Sequence, residues 1–203
     1  MRLAGEIVAV VAALQGSAFG QAPPRPGGAP VGSEPSDGSN IRWSAGLLIA
    51  HPQGDLADEA DTSLGIRADV GYNINANLSV HGGLRYVFVN AETDREEALD
   101  SFRYYDLGAS GRYAFDLTGS ALRPFVELKL LYAILSVERA RSDVNADDPG
   151  IGGRAGVTYP LRPSIDIVFA LGYTNIFVGE EGFTNHDYTA AWFDLDGGIQ
   201  GYF

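Results

Sequence analysis

Eight stretches between Ile41 and Phe203 alternate between apolar and polar residues with a period of two. This alternation indicates β-strands, because successive side chains of a strand point to opposite faces. In the fourth stretch, for example, Tyr105 and Leu107 alternate with Asp106 and Gly108. No charged residue falls on the apolar face of any of the eight stretches. The pattern therefore predicts an all-β fold of eight strands.

The connections between these stretches alternate in length as well. Long polar connections follow the first, third, fifth and seventh stretches, at residues 52–61, 91–101, 138–149 and 179–187. Shorter ones follow the second, fourth and sixth, at residues 74–77, 116–123 and 160–164. Such an alternation is typical of an antiparallel up-and-down barrel that is elaborated at one end.

Period two leaves open which face of the barrel points outward. A soluble lipocalin-like barrel would keep its apolar face inside, whereas a transmembrane β-barrel would turn that face to lipid. The charges favour the membrane barrel, because a narrow interior must pair its ions and the polar face is balanced although the whole chain carries −12. The predicted interior ion network consists of Arg42, Arg67, Arg85, Arg112, Lys129 and Arg154 with Asp69, Asp106, Glu127, Asp166, Asp194 and Asp196.

Folding each hairpin about the middle of its connection predicts two ion pairs between neighbouring strands. Arg85 falls opposite Asp106, and Arg112 falls opposite Glu127. Because an eight-stranded barrel is only wide enough for side chains to fill, we expect these ions to plug the lumen. The excess of acidic residues lies in the long connections, which hold sixteen Asp and Glu against three Arg.

The chain before Ile41 has two further parts. Residues 1–20 contain the apolar run Ile7 to Leu14 and small residues near Gln21, which predicts a secretory signal peptide. That run is too short for a membrane helix, which needs about 20 residues. Residues 21–40 are rich in Pro and Gly and predict a disordered tether, so the barrel domain is expected to span residues 41–203.

The last stretch ends in Phe203, with Gly201, Ile199, Gly197 and Leu195 at alternate positions before it. With this ending, the region 41–203 resembles the eight-stranded outer-membrane β-barrels of Gram-negative bacteria, the OmpA/OmpX/OmpW-like group. The resemblance implies location in the outer membrane, both termini in the periplasm and long loops at the cell surface. It also implies contact with outer-membrane lipid and lipopolysaccharide, and makes Phe203 the assembly signal for the barrel-assembly machinery. Because nothing follows Phe203, we expect the barrel domain only.

No residue pattern predicts catalysis, a cofactor or a metal site. The chain has no Cys, its three His lie apart, and its net charge of −12 argues against nucleic acid as a partner. We expect a monomer with a structural or surface-interaction role. An apolar gap at Leu48, Val87 and Leu131 would instead favour a narrow channel or conduit for small hydrophobic molecules. The third alternative is a lipid A-modifying enzyme, for which His81 and Ser110 fall opposite one another.

Overall fold

The computed structural model describes residues 40–58, 60–89, 99–117, 119–139, 142–162, 164–177 and 189–203. The predicted signal peptide and nearly all of the tether lie outside these residues. One 3₁₀ helix, Asp55–Asp58, follows the first strand. The strands are β1 (Ile41–Gly54), β2 (Ser63–Asn73), β3 (Leu78–Val89), β4 (Leu99–Ala114), β5 (Arg123–Arg139), β6 (Ser142–Arg162), β7 (Ile165–Phe177) and β8 (Thr189–Tyr202).

These strands form a closed barrel in which each strand pairs antiparallel with the next and β8 pairs back onto β1. The predicted fold class, an eight-stranded antiparallel up-and-down barrel, is therefore confirmed. The β3–β4 register places Arg85 directly opposite Asp106, and the β4–β5 register places Arg112 opposite Glu127. No helix in the described ranges is long and apolar enough to cross a membrane.

The apolar face of the barrel is the outer one. Leu107 on β4 is 68% exposed, whereas its neighbour Asp106 is 2% exposed. The same alternation holds on β5, where exposed Leu128 and Leu130 flank Lys129. This arrangement is the opposite of a lipocalin-like barrel, which would hide its apolar face.

The prediction of a long connection at residues 138–149 is wrong. β5 and β6 remain paired out to Arg139 and Ser142, so that only positions 140 and 141 separate them. Strand pairing outlasts the apolar pattern because the ladder is made by backbone groups, which need no apolar side chain to bond. The turn predicted at residues 160–164 is shorter for the same reason, since β6 runs on to Arg162 through an irregularity after Pro160.

The two ends of the barrel are named here by their connections. The β1–β2, β3–β4 and β7–β8 connections lie at the long-loop end, and the β2–β3, β4–β5 and β6–β7 connections lie at the short-turn end. Between these ends the interior is filled by side chains in three zones. An apolar layer lies toward the long-loop end, a charged layer lies in the middle, and a cluster of arginines lies at the short-turn end.

Candidate functional site

Arg85 is the centre of the charged layer on the side nearer the long-loop end. Its Nε donates to Asp106 Oδ2 at 2.6 Å, its Nη1 to Asp194, and its Nη2 to the Tyr104 hydroxyl at 2.7 Å. Tyr104 in turn donates to Asp106 Oδ2 at 2.8 Å, and Lys129 Nζ donates to Asp106 Oδ1. Every group in this set is buried or half-buried, so each charge is compensated by ions from other strands.

Asp196, which follows Asp194 by two residues on β8, joins two arginines. Arg67 Nη1 donates to Asp196 Oδ2, and Arg154 Nη1 donates to the same oxygen at 3.0 Å. Arg67 Nε also lies 2.8 Å from Asp69 Oδ2, which accepts a hydrogen bond from Ser44 at 2.9 Å. β1, β2, β6 and β8 thus each contribute a side chain to this set of contacts.

Glu127 carries the network toward the short-turn end. Its Oε2 accepts from Arg154 Nη2 at 2.8 Å and from Arg112 Nε at 2.7 Å. Arg112 Nη1 donates to Gln200 Oε1 at 3.0 Å, and Gln200 Nε2 donates to Asp166 Oδ2 at 2.8 Å. The Arg112 guanidinium also lies over the Phe125 ring, 4.4 Å from its centroid.

The structure places all twelve residues of the predicted network on the inner face and brings eleven of them into two sets of ion pairs and hydrogen bonds, one of four residues around Arg85 and one of seven that extends from Asp69 to Asp166. Arg42 is the exception, because it makes no ion pair with a carboxylate among the described residues. Sequence reasoning left Tyr104, Ser44 and Gln200 out of the network. The signal for Tyr104 is its parity, since it lies two residues before Asp106 on the same face of β4.

Leu48, Val87 and Leu131, where an apolar gap would favour a conduit, are packed together. These residues belong to a packed cluster that also includes Trp192, whose ring centroid lies 5.6 Å from that of Tyr104. Leu56 of the 3₁₀ helix enters the cluster from the long-loop end and is fully buried. This apolar layer consists of Leu48, Ala50, Leu56, Ala60, Val87, Tyr104, Leu131, Ala133, Ile176, Ala190 and Trp192.

Two small cavities lie inside the described part of the barrel. The central one, about 50 Å³, is lined by Arg67, Arg85, Lys129 and Arg154 and by Asp69, Glu127, Asp194 and Asp196. This volume accommodates only a few water molecules, at roughly 10–15 Å³ each. The second, about 20 Å³, lies at the short-turn end.

The residues that would serve lipid chemistry are placed as follows. His81 lies opposite Ser110 in the β3–β4 register, and its ring packs against Gly71, where a Cβ would come within 2.5 Å of Nδ1. His81 Nε2 is 2.9 Å from Ser79 Oγ. No cluster of three or more potential metal ligands is present in the ranges that the structure covers.

An eight-stranded barrel with an apolar outer face and a charged, filled interior defines the class of small transmembrane β-barrels. The family model of the outer membrane protein beta-barrel domain matches residues 7–191, and the chain belongs to this family. It is therefore an outer-membrane β-barrel protein.

Solved structures share the barrel. Neisserial surface protein A is 24% identical, with a TM-score of 0.64 over 81% of this chain and 98% of that one. OprG from Pseudomonas aeruginosa is 14% identical, with a TM-score of 0.55 over 81% and 96% of the two chains. Ail, the attachment invasion locus protein of Yersinia pestis, is 15% identical, with a TM-score of 0.50 over 80% and 98%. No curated protein matches this chain significantly.

Proposed function

We propose that this protein is a closed barrel with a structural or surface-interaction role, rather than a pore or an enzyme. The observation that supports this proposal is that two separate layers of side chains occupy the lumen. Ion pairs fill the middle of the barrel, and the apolar layer fills it toward the long-loop end. With the interior occupied in this way, the connections at the long-loop end are the part of the protein left to meet a partner.

We further propose that the long-loop end faces the cell exterior and that both termini lie in the periplasm. The three connections assigned to the long-loop end carry eleven Asp and Glu against one Arg. This charge suits cation-bridged contact with lipopolysaccharide phosphates, in addition to the lipid around the barrel. Two proteins with the same fold are named for surface or attachment roles, Neisserial surface protein A and the attachment invasion locus protein Ail.

Phe203 is proposed as the assembly signal that the barrel-assembly machinery reads. It follows β8 directly, and Leu195, Gly197, Ile199 and Gly201 alternate before it on the outer face of that strand. β8 also closes the barrel by pairing with β1, so recognition of this strand would leave closure until last. The finished barrel is proposed to be a monomer.

A narrow conduit is the second candidate, and the central cavity favours it. Gly152 and Gly172 line this cavity opposite the charged side chains. Glycines leave space that a modest movement of Arg85 or Lys129 would enlarge. A conduit would require both layers to open together.

Single-channel conductance in a planar bilayer tests the two candidates. The wild-type barrel is expected to be silent. Arg85→Ala with Arg112→Ala removes charge from the middle only, and Leu48→Ala with Trp192→Ala removes bulk from the apolar layer only. We expect each pair to remain silent or nearly so, and the fourfold variant to conduct. A variant with Leu107→Ala and Leu128→Ala, both on the lipid-facing side, is the matched control.

Steady conductance of the wild-type protein would overturn the closed-barrel proposal and establish the conduit. Each variant is first checked for folding by its heat-dependent migration on a gel, so that a silent trace is read only from folded barrels.

A further inference from the structure

The cavity at the short-turn end has an unbalanced lining. Arg42, Arg112 and Arg123 line it, together with a single carboxylate, that of Asp166. The central cavity, by contrast, is lined by four cations and four anions. Asp166 already accepts a hydrogen bond from Gln200, so its charge is shared with the network above it.

Each of the three arginines holds a buried nitrogen without a hydrogen-bond acceptor among the described residues, and in Arg123 this nitrogen is Nε. Arg42 is 6% exposed and Arg112 is 2% exposed. Arg42 Nε and Arg112 Nη2 have no hydrogen-bond partner in the part of the chain that the structure describes. A buried donor without an acceptor costs free energy, and a buried charge without a counter-charge costs more. Arg42 and Arg112 both line the same cavity, so one anionic group placed there would approach both guanidinium groups.

The cavity is accessible from the short-turn end. Ala121, which lines it, is exposed, and Arg123 is half-buried. Arg123 Nε lies 3.0 Å from Asp116 Oδ1 on the solvent side, which keeps this guanidinium at the rim. A volume of about 20 Å³ takes one oxygen-sized group at its base, while the remainder of a ligand lies toward the open rim.

We propose that this cavity is a binding site for one phosphate group. Guanidinium N–H groups match the oxygens of phosphate and carboxylate alike. A phosphate fits better here because one of its oxygens can enter the cavity beside Arg42 and Arg112 while another, set at the tetrahedral angle, meets Arg123 at the rim, whereas the two oxygens of a carboxylate are coplanar. Arg112 is paired with Glu127 and Arg123 with Asp116, which leaves Arg42 without an ion-pair partner among the described residues, and an anion in the cavity would supply its counter-charge. The phosphate is either free or part of a phospholipid headgroup.

Isothermal titration calorimetry with inorganic phosphate tests the site on the refolded barrel in dodecyl maltoside micelles. We expect saturable binding of one phosphate per barrel, and none of sodium chloride at the same ionic strength. Arg42→Gln should weaken phosphate binding at least tenfold, since it removes one charge-assisted hydrogen bond. Arg162→Gln, an exposed arginine at the same end of the barrel and outside the cavity lining, should leave it unchanged.

The proposal fails if phosphate does not saturate, if chloride binds equally well, or if Arg42→Gln binds phosphate as the wild type does. If Arg42→Gln does not fold, Arg123→Gln at the rim takes its place, with an expected loss of at least threefold. Repeating the titration in phosphatidylglycerol nanodiscs separates the two sources of phosphate. Lost binding there identifies a lipid headgroup as the occupant, and retained binding identifies free phosphate.

Discussion

The charged layer and the apolar layer close the same barrel by different physical means. Around Arg85, closure depends on three or more partners being in place at once, because each ion is buried among ions from other strands. Around Leu48, closure depends only on volume, because side chains of suitable size pack in any combination that leaves no void. We therefore expect a single substitution in the charged layer to lower the free energy of unfolding sharply. In the apolar layer, we expect the free energy of unfolding to fall in proportion to the side-chain volume that is removed.

The largest effect is expected for Arg85→Ala. The substitution leaves Asp194 and Asp106 facing each other with Lys129 as the nearest remaining cation. Breaking a buried ion pair on one side costs about 3–5 kcal/mol. The free energy of unfolding, measured by urea titration of the barrel in micelles, should fall by about that amount.

Arg103→Ala serves as the control for this prediction, because Arg103 is an exposed arginine on the strand next to β3. If Arg85→Ala lowers the free energy of unfolding no more than Arg103→Ala does, the charged layer does not stabilise the barrel.

An intermediate effect is expected for Leu48→Ala in the apolar layer. Leu48 is almost fully buried, and its removal leaves a cavity beside Val87 and Leu131. Substitutions of this kind cost about 2–4 kcal/mol, depending on how far neighbours relax. Leu48→Met, which nearly conserves volume, should recover most of the stability in the same urea titration. Failure of Leu48→Met to recover it would contradict the distinction between the two layers.

The smallest effect is expected for Asp116→Asn at the short-turn end. Asp116 pairs with Arg123 but is largely exposed, so that water and salt screen the interaction. The urea titration should show a change of at most about 1 kcal/mol, and 0.5 M salt should abolish it. If Asp116→Asn lowers the free energy of unfolding as much as Arg85→Ala does, the exposed pair at the rim stabilises the barrel as strongly as the buried pairs, which contradicts this prediction.

Ion pairs between neighbouring strands are the part of the site that can be predicted from the sequence. Arg85 opposite Asp106 and Arg112 opposite Glu127 follow from hairpin geometry, because each pair is separated by one connection. Contacts across the lumen could not be reached in this way. Arg67 with Asp196 and Arg85 with Asp194 join strands that are far apart in the chain, and they depend on how the closed barrel tilts and staggers its strands.

The sequence by itself determined the eight strands, their order and the two faces of the barrel, because side-chain alternation is a local property of an extended chain. Only the tertiary structure decided what fills the interior. It showed that the apolar positions meet in a packed layer, that β5 and β6 stay paired beyond the apolar pattern, and that Arg42 has no carboxylate partner among the described residues. Each of these features depends on side chains or strands that closure of the sheet brings together. A period-two pattern gives the face on which a side chain lies, but it carries no information about the distance between side chains across the lumen.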